Sequence, residues 1–151
     1  MQGSQLQRLV EVMDTLRSPG GCPWDAEQTH ESLLKYLLEE SYEFIEAVEN
    51  GNRIDMREEL GDVLLQVYFH ARMAEDHPTD PFTIEEVAQG IADKLIRRHP
   101  HVFAGLEVKG SEEVLENWEE IKKKEKGRTS PVDGVAHSQP ALPTSNQALS
   151  T

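Results

Sequence analysis

Hydrophobic residues recur at helical spacing in five segments of the chain, and no segment of useful length alternates with the period of a β-strand. The pattern predicts helices over residues 6–16, 29–50, 55–74, 83–98 and 111–124. The connection between the second and third helices is short, so these two are expected to pack antiparallel. The predicted fold class is all-α, with antiparallel helices that form a four-helix-bundle-like core.

Local signals mark several helix boundaries. Thr29 is a candidate N-cap for the second helix, and Gly51 is its candidate stop. Thr83 and Glu86 have the spacing of a capping box at the start of the fourth helix. Pro100 disfavours helical geometry at the preceding residue, so that helix is expected to end near residue 98. Residues 21–25 and 77–82 are predicted loops.

Composition separates the helical part of the chain from its end. Residues 127–151 are rich in Ser, Thr, Pro, Gln and Gly, a composition that cannot bury much apolar surface. We therefore predict one helical domain over residues 1–126 and a disordered polar tail over residues 127–151. A helix set this small is expected to need a partner subunit, a dimer or a higher assembly, to bury both of its faces.

Charge limits the classes of ligand. The formal net charge is -13, from 28 acidic and 15 basic residues, so the surface repels a nucleic-acid polymer. A small phosphorylated ligand remains compatible if a metal ion compensates its charge. The single cysteine, Cys22, excludes an internal disulfide. Neither a signal peptide nor an apolar run long enough to span a bilayer is visible, which predicts a soluble, cytoplasmic protein without membrane partners.

Two carboxylate pairs are the candidate chemistry. Glu40 and Glu43 lie on the second helix, and Glu59 and Asp62 on the third, each pair at i, i+3 and hence on one helical face. Helical rotation places both pairs just beyond the same edge of their apolar stripes. Four carboxylates can therefore converge beside a helix–helix seam, where they would repel one another without a cation. Such all-oxygen ligands suit Mg²⁺, or Mn²⁺ as a second choice. The alternative is a solvated acidic face.

These pairs, with several other segments, resemble the MazG family of all-α nucleoside triphosphate pyrophosphohydrolases. That family has an E-x-x-E pair followed by an E-x-x-D pair on the next helix. The stretches Gly-Cys-Pro-Trp-Asp (21–25), Gln-Thr-His (28–30), Glu-Glu-Leu-Gly-Asp (58–62) and Arg-Arg-His-Pro-His-Val-Phe (97–103) also look like blocks of the family. The resemblance covers roughly residues 6–126, so residues 1–126 are interpreted as a MazG-like domain.

The resemblance implies hydrolysis of NTPs and dNTPs between the α and β phosphates, Mg²⁺ dependence, and a dimer whose paired helices complete the bundle. It also implies removal of non-standard nucleotides. Carried over residue by residue, it gives three sets: metal ligands Glu40, Glu43, Glu59 and Asp62, of which Glu40 and Glu59 are the catalytic candidates; phosphate contacts Lys94, Arg97 and Arg98; and nucleotide contacts Trp118 and Lys122.

Several of these residues also have purely structural interpretations. Trp118 continues an apolar stripe, and Arg97 and Arg98 complement a helix dipole. His99 and His101 are interpreted as capping or packing residues, Trp24 and His30 as loop structure, and Cys22 as a packed thiol. Longer relatives would continue in helix after residue 142, so the sequence leaves open whether this is a short form or a truncated one.

Three other functions remain open. A pyrimidine-specific dNTP pyrophosphatase or a phosphoribosyl-ATP pyrophosphatase of the same superfamily would share the fold and the binding of a metal ion by the two carboxylate pairs. A di-iron carboxylate bundle would use Glu27-x-x-His30, but such sites need two Glu-x-x-His motifs and only one is present. A non-catalytic helical dimerisation module would show the same apolar stripes and acidic flanks.

Overall fold

The structure is a computed structural model that describes residues 3–128. Within that range the chain forms seven helices and no strand, so the all-α prediction is confirmed. The helices are α1 (Gln5–Arg17), α2 (Pro23–Glu27), α3 (His30–Glu49), α4 (Arg53–Ala74), α5 (Ile84–Arg98), α6 (Pro100–Phe103) and α7 (Ser111–Arg128). Among the described residues, none of these helices has the length and hydropathy to cross a bilayer. Of the predicted tail, residues 129–151 lie outside the described residues.

The predicted helix boundaries are formed by side-chain caps. The Thr29 hydroxyl accepts a hydrogen bond from the Ser32 amide at 3.0 Å, and the Ser32 hydroxyl accepts one from the Thr29 amide at 2.8 Å. The capping box at α5 is also present, because the Glu86 carboxylate accepts from the Thr83 amide at 3.0 Å and Thr83 Oγ1 accepts from the Glu86 amide at 3.3 Å. Each cap satisfies amides that the first helical turn leaves without a partner.

Two short helices lie where the sequence predicted none. Helices α2 and α6 have five and four residues and begin at Pro23 and Pro100. Proline suits the first helical position, since the amide hydrogen it lacks would have no partner there. A single turn is too short to show a hydrophobic period, which is why residues 21–25 were predicted as loop.

The described residues divide into two compact units, one that ends at residue 90 and one that begins at residue 91. In the first unit α3 and α4 pack along each other in opposite directions, as predicted. His30 at the start of α3 meets His70 near the end of α4, and Glu40 meets Glu59. Gly51 closes the turn between the helices with φ +67°, a conformation that L-residues with a side chain rarely adopt.

The core of this unit is small. Met13, Leu33, Phe69 and Met73 form one buried cluster, which brings α1, α3 and α4 together. Leu9, Leu16, Tyr36, Leu65 and Tyr68 pack against it and remain partly accessible. Because so few side chains are fully buried, the specificity of the packing depends strongly on each of them.

Arg17 ties the short helix α2 to this core. Its guanidinium donates to the carbonyl oxygens of Asp25 at 2.7 Å and Gln28 at 3.2 Å, and it lies 5.8 Å from the centre of the Phe69 ring. The turn that leads to α2 is equally constrained. A Cβ at Gly21 would clash with the backbone carbonyl groups of Thr15 and Leu16, so only glycine fits there.

The apolar stripes of α3 and α4 are only partly covered. Leu34 and Leu38 of α3 are 56% and 53% exposed, and Leu60 and Val67 of α4 are 51% and 41% exposed. All four lie in helices whose hydrophobic periodicity predicts a buried stripe. Within the described residues of one chain, the neighbouring helices cover one side of each stripe and leave the other open.

Candidate functional site

A carboxylate cluster lies on the seam between α3 and α4. It comprises Glu40, Glu59 and Asp62, each of which offers an oxygen atom within 4.8 Å of an oxygen of the other two. All three residues are half-buried. The antiparallel packing produces this cluster, since it sets the middle of α3 against the first half of α4. Three of the four carboxylates of the two i, i+3 pairs therefore converge.

Glu43, the fourth predicted ligand, lies beside this cluster. It groups with Glu40 and with Glu39, again with oxygens within 4.8 Å of one another. The charge of Glu43 acts on both Glu40 and Glu59, so it belongs to the same electrostatic site. Glu39 was not predicted. It is exposed and follows directly on an apolar residue, and its spacing from the pairs gave no signal.

Burial and mutual repulsion perturb the cluster. Desolvation, followed by the charges of Glu43 and Asp62, raises the pKa of Glu59 to about 7. The same causes, in the same order, raise the pKa of Glu40 above its ordinary value. Both shifts follow from negative charges that are held together and partly removed from water. Without a cation, Glu59 is therefore half-protonated near neutral pH.

The donor set fits a hard divalent cation. Glu40 Oε2 and Glu59 Oε1 are buried and have no hydrogen-bond partner among the described residues. Buried carboxylate oxygens without partners are unfavourable, and a cation would satisfy both. Carboxylates are the ligands that Mg²⁺ and Mn²⁺ prefer. A solvated acidic face would instead leave these oxygens in water.

The second unit carries the predicted basic residues. Arg97 Nε lies 2.6 Å from one oxygen of Glu125 on α7, and Arg98 Nη2 lies 2.7 Å from the other. These two charge-assisted hydrogen bonds lower the pKa of Glu125 to about 2. A phosphate presents oxygens in a similar geometry, so the Glu125 carboxylate binds the two guanidinium groups as a phosphate would. Glu125 lies seven residues after Trp118, on the same face of α7, which is the signal that the sequence analysis missed.

Trp118 and Lys122 lie in the same region of this unit. The Arg98 guanidinium is 5.5 Å from the centre of the Trp118 ring, and Lys122 lines a cavity together with Arg98 and Glu125. Lys122 also lies 3.8 Å from Glu119. Lys94 is exposed on α5, and among the described residues no hydrogen bond or ion pair joins it to this group. The roles of all five basic and aromatic residues stay predictions.

Two of the residues interpreted as structural, His99 and Trp24, make capping or packing contacts. His99 Nδ1 lies 2.7 Å from the Leu95 carbonyl oxygen, and the His99 ring packs edge-on against Trp118 with centroids 5.0 Å apart. Trp24 and His30 were predicted as loop residues, but Trp24 lies in α2 and His30 is the first residue of α3. Trp24 packs edge-on against Tyr36 with ring centroids 5.9 Å apart. Glu27 ends α2 and His30 begins α3, so the Glu-x-x-His motif does not lie on one helical face as a di-iron site requires.

Comparison with known proteins is consistent with this geometry. The profile of the family described as "MazG nucleotide pyrophosphohydrolase domain" matches residues 28–103, a stretch that includes both carboxylate pairs. A solved structure of a mazG-related protein from Thermotoga maritima superposes with a TM-score of 0.63 at 31% identity, and the match covers 78% of this chain and 98% of that one.

Curated relatives extend the match over most of the chain. A nucleoside triphosphate pyrophosphohydrolase of Mycolicibacterium smegmatis is 51% identical over 97% of this chain and 45% of its own length. The Escherichia coli K12 protein of the same name is 45% identical over 92% of this chain and 54% of its own length. This chain therefore spans about half the length of these relatives.

Proposed function

This chain belongs to the MazG nucleotide pyrophosphohydrolase family, and from that membership we propose that it hydrolyses nucleoside triphosphates, ribo- and deoxyribonucleotides alike. The products would be a nucleoside monophosphate and pyrophosphate, and the reaction would depend on Mg²⁺. The names of the longer relatives support the activity. The observation that carries the proposal is the half-buried cluster of Glu40, Glu59 and Asp62 with its unpartnered oxygens.

Four carboxylates would hold the metal: Glu40, Glu43, Glu59 and Asp62. Mn²⁺ is the expected substitute, because it prefers the same oxygen ligands. When bound, Mg²⁺ supplies positive charge that offsets the charge on the phosphate oxygens. The family match and the donor set support this assignment, and metal binding is the direct test of it.

One carboxylate of the cluster would act as the general base. Water must attack the α-phosphorus, and its proton must pass to an acceptor whose pKa lies near the working pH. Glu59 and Glu40 are the candidates, because both belong to the cluster that would hold the metal. The P–O bond to the β-phosphate then breaks, and pyrophosphate leaves with the electron pair.

The basic residues of the second unit are proposed to neutralise phosphate charge. Arg97 and Arg98 offer planar guanidinium groups that pair with phosphate oxygens in a bidentate fashion, and Lys94 adds a further charge on α5. Trp118 would contact the nucleotide, with Lys122 one turn further on. The test is substitution of each residue by an uncharged or smaller one, with KM for the triphosphate as the readout.

Pyrophosphate release from the eight common NTPs and dNTPs tests the activity. The assay compares Mg²⁺, Mn²⁺ and EDTA for the native protein, for Glu59→Gln, and for Glu46→Gln as a control at an exposed glutamate on α3. We expect broad metal-dependent release that Glu59→Gln abolishes and Glu46→Gln preserves. Release unaffected by Glu59→Gln would refute the site.

The same panel decides substrate range. Similar rates on many nucleotides would support removal of non-standard nucleotides as the cellular role. A strong preference for one pyrimidine deoxynucleotide, or for phosphoribosyl-ATP added to the panel, would favour a specialised pyrophosphatase. Absence of any release together with absence of metal binding would favour the dimerisation module.

We also propose that the open parts of the stripes at Leu34 and Leu38 of α3 and at Leu60 of α4 pair two copies of the chain. Leu34 and Leu38, both more than half exposed, would lie at the centre of that interface. Light scattering is expected to show a dimer that Leu38→Glu dissociates, whereas Val12→Glu at an exposed position on α1 leaves it intact. A monomeric native protein at micromolar concentration would refute the pairing.

A further inference from the structure

A second cavity in the first unit lies next to the carboxylate cluster and plays no part in the chemistry proposed above. It has a volume of about 360 Å³ and is lined mainly by apolar atoms. Its wall includes His30 and Leu37 of α3, Gln66 and His70 of α4, and Phe82 and Val87. A cavity of roughly 300 Å³ or more is large enough for a small organic ligand. We call it the Gln66 cavity.

Gln66 is the buried polar residue that marks this cavity. It is 6% exposed, and its Oε1 atom has no hydrogen-bond partner among the described residues. A buried amide oxygen without a partner is unfavourable, since folding removes the water that would otherwise bind it. An apolar side chain would fill the position better, so the amide indicates a ligand that donates a hydrogen bond to it.

His70 offers a second unpartnered atom to the same cavity. Its Nε2 is buried and has no partner among the described residues, while its Nδ1 lies 2.8 Å from Nδ1 of His30. The two rings are nearly parallel, with an interplanar angle of 11° and centroids 5.0 Å apart. One proton must lie between the two Nδ1 atoms, so Nε2 of a neutral His70 is a donor in one tautomer and an acceptor in the other.

The cavity continues the face that carries the carboxylates. On α4, Glu59, Asp62, Gln66 and His70 follow one another at spacings of three, four and four residues, which keeps them on one side of the helix. At 1.5 Å per residue, Gln66 lies roughly 6 Å and His70 roughly 12 Å along the helix from Asp62. A nucleotide whose phosphates lie at the cluster can therefore reach the cavity with its base.

We propose that the Gln66 cavity holds the heterocyclic base of the substrate nucleotide and that Gln66 hydrogen-bonds the edge of that base. This inference rests on the proposed function. The amide has one acceptor and one donor group side by side, and rotation of its terminal bond reverses their order. It can therefore pair with any of the common bases, which present donors and acceptors in either order. The cavity selects for the presence of a planar base more than for its identity.

Substitution of Gln66 separates base recognition from phosphate recognition. The variant is Gln66→Leu, which has a similar volume and removes a buried unpartnered oxygen, so it is expected to fold at least as well as the native protein. Methyl triphosphate serves as the substrate without a base. Gln7→Leu, at an exposed glutamine on α1, is the matched control.

We expect Gln66→Leu to raise KM roughly tenfold or more for nucleoside triphosphates and to leave KM for methyl triphosphate within about twofold. Gln7→Leu should change neither value. Equal effects on both substrate types, or no effect on either, would overturn the inference. A rise in KM for nucleoside triphosphates in Trp118→Ala but not in Gln66→Leu would also overturn the inference, since it would place the base at Trp118.

A binding measurement separates this inference from the proposed activity. If the native protein hydrolyses none of the substrates, the proposed function fails. Calorimetry with an α,β-methylene nucleoside triphosphate and Mg²⁺ then decides the cavity. The inference is supported if Gln66→Leu weakens binding of this nucleotide at least tenfold and leaves binding of methyl triphosphate unchanged. Equal binding to both proteins, or no binding to the native protein, overturns it.

Narrowing the cavity gives an independent test. Val87 is 39% exposed at the cavity wall, so Val87→Phe should be accepted without unfolding. The larger ring would reduce the space for a base. We expect KM for purine triphosphates to rise at least threefold more than KM for pyrimidine triphosphates. An identical response of the two classes would contradict a base bound in this cavity.

Discussion

Acidification from pH 8 to pH 6 should weaken the binding of Mg²⁺ to the carboxylate cluster. The pKa of Glu59 is raised to about 7 by desolvation and by the charges of Glu43 and Asp62. A proton and a metal ion compete for the same oxygens, because only the ionised carboxylate is a good ligand. The pH dependence of metal affinity therefore reports on the environment that creates the site.

The size of the effect follows from that pKa of about 7. Glu59 is roughly nine-tenths ionised at pH 8 and roughly one-tenth ionised at pH 6, so the apparent dissociation constant should rise about tenfold between them. The pKa of Glu40 is raised by the same causes, desolvation first and then the charges of Glu43 and Asp62. An exposed glutamate with an ordinary pKa would produce no change over this range.

The assay is calorimetric titration with Mg²⁺, and with Mn²⁺ in parallel, at constant ionic strength so that screening stays fixed. Glu59→Gln should bind more weakly and lose most of the pH dependence, whereas Glu46→Gln should retain both affinity and slope. A dissociation constant that changes less than about twofold for the native protein would refute the reasoning, because Glu59 would then titrate outside this range.

The pH dependence of the stability of the metal-free protein is a second measurement of the pKa of Glu59. The pKa of Glu59 in the folded state lies above its ordinary value of 4.5, so the folded protein retains a proton that the unfolded chain loses. The contribution of Glu59 to stability is therefore fully present below pH 4.5 and is lost as the pH rises through about 7. Thermal unfolding in EDTA should show this loss, and Glu59→Gln should reduce it.

Three further predictions concern packing and the arginine pair. Leu33→Ala should lower the free energy of unfolding by about 2–5 kcal/mol, because Leu33 is 1% exposed, whereas Leu6→Ala at 54% exposure should lower it by less than about 1 kcal/mol; equal losses in denaturant titrations would contradict the core assignment. Arg17→Met should lower the free energy of unfolding by about 3 kcal/mol, since two carbonyl oxygens lose their hydrogen-bond donor. Arg8→Met at the surface should change that free energy by less than about 0.5 kcal/mol. Glu125→Gln should lower the inhibition constant of pyrophosphate about threefold or more by freeing two guanidinium groups, and weaker inhibition would show that Glu125 instead positions them.

Helical periodicity and end signals were sufficient to predict the fold class and most helix boundaries. The caps at Thr29 and Thr83 were predicted correctly because a cap depends on residues within one turn. The convergence of the two carboxylate pairs was also predictable, since each pair's angle to its own apolar stripe is a property of one helix. Helices α2 and α6 were missed because one turn contains too little sequence to show a period.

Sequence by itself determined which face of each helix carries carboxylates and which carries apolar groups, because spacing along one helix fixes the direction of its side chains. Only the tertiary structure decided how α3 and α4 align along their axes, and that register sets Glu40 against Glu59 and His30 against His70. The tertiary structure also decided which part of each apolar stripe is buried and which carboxylate oxygens are removed from water. The raised pKa of Glu59 and the unpartnered amide of Gln66 result from that burial, which depends on neighbours far apart in sequence.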